Sequence, residues 1–196
     1  LRFCPPLRRQ LTAIVRQNHL LMEVVLGLQG GRVFLDGSKD PERLKQLRRA
    51  AAGPVKVVRL TRDGRGVTNS YMKYHHVPMR VAVREWLRLE QECDRIMASL
   101  RRAELLLVQY ERLCATPDSL VGEIWHWAGL PPVGADAAQP GKLRPPEALH
   151  ILGNPMRLGF RNSVKLDEKW KTELSQADLA VFDQIAGSLN RVRGYH

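Results

Sequence analysis

At 196 residues, with 44% apolar and 26% charged residues, the chain has the size and composition of one globular domain with a single good-sized core, and no run approaches a bilayer-spanning length. Its net charge of +11, with 23 of the 31 basic residues being Arg, favours an anionic partner, since a planar guanidinium suits phosphate or sulfate; nucleic acid, acidic glycan and phosphonucleotide all stay open, although aromatics at only 6% and scattered Arg residues are unlike a nucleic-acid face. Cys4, Cys93 and Cys114 have no short spacing, which indicates neither a zinc site nor a disulfide framework and points to a reducing compartment.

The start, Leu1-Arg2-Phe3-Cys4, is not that of a secretory signal, and the absence of Met hints that the sequence begins partway into a longer protein. From Leu7 to Leu28 apolar residues recur near the helical period (Leu11, Ile14, Val15, Leu21, Met22, Val25), which predicts an amphipathic helix or a pair of them, stopped at Gly30-Gly31. His19 reads as a packed or surface histidine. Arg32–Asp36 is a short strand candidate. It runs into Gly37-Ser38-Lys39-Asp40-Pro41 and a helix from Glu42 to about Ala52, for which Asp40 and Pro41 form the start signal.

Gly53-Pro54 leads into Val55–Thr61, a β-branched run of the kind that forms a buried strand, interrupted by Lys56 and Arg59. Asp63-Gly64 and Gly66 carry turn chemistry, and the chain from Val67 to about Val77 has no breaker and reads as a helix. In a parallel α/β sheet the crevice at the carboxyl end of a strand is where ligands bind, and a helix starting there offers free N–H groups to an anion. Arg62 leaves the strand at that point, and Ser70 follows eight residues later. The local alternative is an Arg and an Asp that cap the helix and pair with each other. The adjacent His75 and His76 point to different sides of a helix and make a poor chelate.

Pro78 opens a long helix to about Arg102, with Trp86, Leu89, Cys93, Ile96 and Leu100 on its apolar stripe. A crossover helix of that kind implies a parallel strand, supplied by Glu104–Tyr110. Tyr110-Glu111-Arg112-Leu113 is followed by a helix begun by Pro117-Asp118 and ended by Gly129-Leu130-Pro131; Trp125 and Trp127 cannot share one of its faces. Residues Pro131–Pro146 are rich in Pro, Ala and Gly and read as a loop or mobile lid. The turn Gly153-Asn154-Pro155-Met156-Arg157 comes next. A capping-box start at Ser175 and Asp178 then precedes a last helix holding Leu179, Phe182, Ile185 and Leu189.

Taken together, Arg62-Asp63-Gly64-Arg65 with Ser70, Asp36-Gly37-Ser38-Lys39-Asp40-Pro41, Tyr110-Glu111-Arg112-Leu113 with its Pro-initiated helix, and Gly153-Asn154-Pro155-Met156-Arg157 resemble the sulfotransferases that use 3′-phosphoadenosine 5′-phosphosulfate. The resemblance implies an α/β fold, a P-loop NTPase-like parallel sheet flanked by helices. It implies that Arg62 and Ser70 hold the 3′-phosphate, that Tyr110 contacts the adenine, and that Asn154 and Arg157, with Arg161 in reserve, lie near the phosphates. Lys39 would sit near the transferring sulfonate as a catalytic residue, where positive charge suits the developing negative charge on the leaving oxygen; the bland reading is a solvated loop lysine. No metal is implied. The acceptor would be a hydroxyl or amine of a carbohydrate, lipid, peptide or small molecule; the Arg- and Ala-rich composition without paired cysteines favours a bacterial-type cytoplasmic enzyme, with a Golgi-type luminal one as the alternative.

The resemblance runs from about Val33 to the end and lacks the family's Gly-rich 5′-phosphosulfate loop. The chain is therefore expected to be the C-terminal portion of an enzyme of about 250 to 300 residues, incomplete at its N-terminus, with the general base upstream and no activity by itself. Within one domain, 1–31 would be helical, 32–113 the nucleotide-binding α/β core, and 114–196 helical and lid segments. A sheet short of a strand exposes edges, which makes a homodimer possible. The competing class is a non-catalytic basic module for nucleic acid or polyanionic glycan, or a decayed nucleotide-binding relative.

Overall fold

The structure, a computed structural model, describes residues 5–50, 54–131 and 165–196. Two compact units separate: one takes the chain up to Val57 and then Leu87–Leu105, the other takes Val58–Trp86 and the chain from Leu106 onward.

In the first unit a single long helix, α1 (Pro5–Gln29), packs against α2 (Pro41–Ala50). Only part of the apolar pattern of α1 is used: Val15 is buried, whereas Ile14, Leu21 and Leu28, spaced by sevens, are 54%, 59% and 80% exposed. The strand expected at Arg32–Asp36 does not form. That segment is irregular, has no neighbouring strand among the described residues, and leaves Leu35 88% exposed, so nothing pairs its backbone or covers its side chains. Its end is tied instead by Asp36, which accepts from the Ser38 N–H and the Arg43 guanidinium. Asp40 caps α2 as its position predicts, accepting from the N–H groups of Glu42 (2.9 Å) and Arg43 (3.2 Å).

All but the first residue of each strand of the sheet belongs to the second unit. β1 (Val57–Thr61) lies beside β2 (Leu105–Gln109) as a parallel pair, joined through α3 (Gly64–His75) and α4 (Met79–Met97), the crossover that parallel strands require. α4 stops earlier than its periodicity suggests: Leu100 N–H bonds back to Met97, and a 3₁₀ turn at Arg102–Glu104 leads into β2. Short α5 (Tyr110–Ala115) follows β2 directly, so Tyr110 starts a helix rather than ending a strand. α6 (Pro117–Ala128) has Pro at its first turn and closes on Gly129 at φ 75°, the left-handed cap that Gly adopts without strain. α7 (Trp170–Glu173) and α8 (Gln176–Val192) complete the unit.

The core is made where α4 meets α7 and α8. Met79, Val83, Trp86, Leu174, Phe182 and Ala186 are buried together, with the Trp86 and Phe182 rings 5.6 Å apart. Helix α3 begins three residues before the sequence suggests. Gly64 and Gly66, which read as turn residues, lie inside it because the core and a guanidinium leave no room for a Cβ: one at Gly64 would come within 2.7 Å of Trp86 and 2.8 Å of Phe182. Among the described residues no helix is long and apolar enough to cross a membrane.

Candidate functional site

The carboxyl end of β1 is held by a set of buried polar bonds. Asp63 caps α3 by accepting from the Arg65 N–H (2.9 Å) and pairs with the Arg65 guanidinium at 2.7 Å. Its own N–H donates to Glu111 (3.2 Å), and Asn190 receives the Gly64 N–H (2.8 Å) while donating to the Asp63 carboxylate (3.2 Å). The Tyr195 hydroxyl donates to the other Glu111 oxygen at 2.8 Å. Burial pushes the Tyr195 phenol above its ordinary value; a hydrogen bond with Thr61 opposes this and the Glu111 carboxylate adds to it. Arg65 is thereby a structural arginine, stacked at 4.3 Å on the Trp170 ring.

Arg62, one residue from this knot, points elsewhere. Its guanidinium lies 4.6 Å over the Tyr110 ring, donates to the Asp167 carbonyl, and sits 3.3 Å from the Asp167 carboxylate. It lies so close to α3 that a Cβ at Gly66 would be 3.1 Å from Arg62 Nε and 3.2 Å from Nη2. The Tyr110 hydroxyl donates to the Lys165 carbonyl and accepts from the Asp167 N–H, both at 3.1 Å. Tyr110 is pushed up by burial and by a hydrogen bond with Cys114. For Asp167 burial acts upward, but the Lys169 N–H and the Arg62 guanidinium outweigh it and hold the carboxyl below its usual range.

Ser70 follows Gly66 by one turn and donates to the Gly66 carbonyl at 3.1 Å. It opens on a surface pocket of about 330 Å³ lined by Asn69, Ser70, Lys73, Asp167, Lys169 and Glu173, with Tyr74 beside them. Arg62 reaches the pocket through Asp167. Thus Arg62, Ser70 and Tyr110 are gathered around one segment, Lys165–Glu173, in which the sequence resembles the family's usual ending but gives Asp167, Lys169 and Glu173 no part in the site. Those residues lie about a hundred positions from Arg62 and share no spacing with it. A second cavity of about 200 Å³, between Trp170, Leu179, Phe182 and Tyr195, lies behind Arg65.

Lys39 belongs to the first unit, where it is exposed and holds a left-handed backbone at φ 61°. Asn154, Arg157 and Arg161 lie outside the described residues. Among the described residues no group of three His, Cys, Asp or Glu is disposed to hold a metal.

Among solved structures the chain is similar to a sulfotransferase domain from the curacin biosynthetic pathway, with a TM-score of 0.54 and 19% identity, covering 81% of this chain. The fold is sulfotransferase-like. The chain spans 59% of that domain's length. No family model matches the sequence, and no curated protein matches it. In this sulfotransferase-like fold the pocket lies against the second half of α3, between that helix and the Asp167–Glu173 segment.

Proposed function

We propose that this chain carries the nucleotide-binding part of an enzyme that transfers a sulfonate from 3′-phosphoadenosine 5′-phosphosulfate to a hydroxyl or amine acceptor. The observation that carries the reading is the pairing of Arg62 with an oxyanion, the carboxylate of Asp167, a residue that lines the pocket onto which Ser70 opens. A guanidinium that already meets one oxyanion is a donor that fits a phosphate. Arg62 and Ser70 then bind the 3′-phosphate, and Tyr110, whose ring carries the Arg62 guanidinium at 4.6 Å, contacts the adenine as the sequence resemblance implies. Lys39 retains the proposed role of stabilising negative charge on the bridging oxygen, and Asn154 and Arg157 that of meeting the phosphates; both rest on the sequence resemblance. The nucleotide supplies the sulfonate. The acceptor's oxygen or nitrogen forms the new bond to sulfur as the bond to the 5′-phosphate oxygen breaks, and a base outside the residues named here takes the acceptor's proton. No metal has a part in this proposal.

The net charge of +11 favours one other reading, a non-catalytic module that docks on nucleic acid or a polyanionic glycan. One titration separates them. Each bond to a charged group contributes about 1.5–3 kcal/mol, so Arg62→Ala is expected to weaken binding of 3′-phosphoadenosine 5′-phosphate at least about tenfold in calorimetric titration, while RNA binds weakly and falls off steeply with salt. Salt-resistant RNA binding that is untouched by Arg62→Ala, with no nucleotide binding, would overturn the proposal.

A further inference from the structure

The pocket onto which Ser70 opens is also lined by Lys73 and Asn69, two donors not assigned to phosphate above. Gly66, Ser70 and Lys73 stand four and three residues apart and fall on one face of α3, with Asn69 next to them. Lys73 Nζ lies 2.5 Å from one Glu173 oxygen, and Asn69 Nδ2 donates to the other at 2.6 Å. Asp167, which lines the same pocket, meets Arg62. Both carboxylates come from the same short segment, and that segment is fastened by main-chain bonds: the Lys165 carbonyl and Asp167 N–H to the Tyr110 hydroxyl, and the Asp167 carbonyl to Arg62. Lys73, Asn69 and Arg62 are thus each matched by a carboxylate oxygen brought from one stretch of chain.

We propose that Lys73 and Asn69 are further phosphate-binding groups of this site, and that Asp167 and Glu173 are internal counter-ions which an incoming phosphate displaces. The segment Asp167–Glu173 is then an anion-mimicking strap over the nucleotide's 3′-phosphate position; this rests on the nucleotide reading of the pocket. The exchange is easy in one direction. The Lys73–Glu173 pair is half exposed, at 55% and 32% of the two side chains, and an exposed ion pair contributes little. A phosphomonoester brings close to two charges and three acceptor oxygens where each carboxylate brings one charge. A carboxylate left beside the phosphate would repel it, so nucleotide affinity reports how far the strap has moved.

The test is calorimetric titration of the whole chain with 3′-phosphoadenosine 5′-phosphate and, as the ligand without a 3′-phosphate, adenosine 5′-phosphate. Lys73→Gln is expected to weaken the first ligand about tenfold, and Asp167→Asn with Glu173→Gln to tighten it about fivefold or more, neither change appearing with adenosine 5′-phosphate. The exposed single change Glu173→Gln, expected to tighten binding about twofold to threefold, repeats the measurement with less risk to folding. Binding that depends on Arg62 but is unmoved by Lys73→Gln, or is unmoved or weakened in the carboxylate variants, overturns this inference and leaves the nucleotide reading standing. Absence of binding in the natural chain and in every carboxylate variant overturns both.

Discussion

At position 39 a lysine holds a left-handed backbone, φ 61°, between two aspartates that fasten the turns on either side of it. That conformation costs a residue with a Cβ about 1 kcal/mol and suits glycine. Lys39→Gly is accordingly expected to raise stability by about 0.5–1 kcal/mol in chemical denaturation. A lower midpoint would show that the left-handed turn is not what limits this loop. Gly66 poses the opposite case, since its missing side chain lets the Arg62 guanidinium lie against α3.

At the scale of an element, α3 shows why two glycines can sit in the first turn of a helix. Intrinsic propensity favours Ala over Gly there by up to about 1 kcal/mol, and Asp63 supplies the cap in either case. Packing decides against Ala. Its Cβ at position 64 would approach Trp86 and Phe182, both wedged in the core, to 2.7 and 2.8 Å. Overpacking of a filled core costs about 1–3 kcal/mol, so Gly64→Ala is expected to destabilise the protein by about 1–2 kcal/mol net in urea denaturation. Unchanged or greater stability would mean that the two rings move aside freely. The start of α8 is governed by local bonds instead: Ser175 Oγ accepts from the Asp178 N–H (3.1 Å), and Asp178 accepts in return from the Ser175 N–H (3.3 Å).

For the molecule as a whole, the network joining the end of β1 to the C-terminus makes stability depend on alkaline pH. Folded Tyr195 keeps its proton where the unfolded phenol, at its ordinary value of 10.0, gives it up. A group raised on folding contributes stability that is whole below the unfolded value and is lost as pH rises through the folded one. Stability is therefore expected to decline above about pH 10. Tyr195→Phe should cost about 1 kcal/mol at neutral pH through the lost bond to Glu111, and should flatten the alkaline decline. An identical alkaline slope in the variant, followed by thermal melting across pH, would remove Tyr195 from that account.

Several features were legible in the sequence because they are local. The caps at Asp40, Pro117, Gly129 and Ser175 act over three or four residues, and the strand–turn–helix at Val57–Ser70 follows from β-branching and turn chemistry. The parallel pair followed from the length of the crossover. Other features were not legible. Among the described residues Arg32–Asp36 has the composition of a strand but no partner to bond with, and the face of α1 carrying Ile14, Leu21 and Leu28 has helical period without being covered.

By itself, then, the chain's order of residues determined which segments turn, cap and cross over, and placed Arg62 at a strand's carboxyl end. Only the tertiary structure decided that Arg65 belongs to the scaffold while Arg62 faces an oxyanion, and that Asp167 and Glu173 stand in the pocket of Ser70. The reason is reach: a cap is closed by neighbours a few bonds away, whereas Asn190, Glu111 and Asp167 come to β1 across 48 to 127 residues of chain, a distance over which no spacing rule carries information.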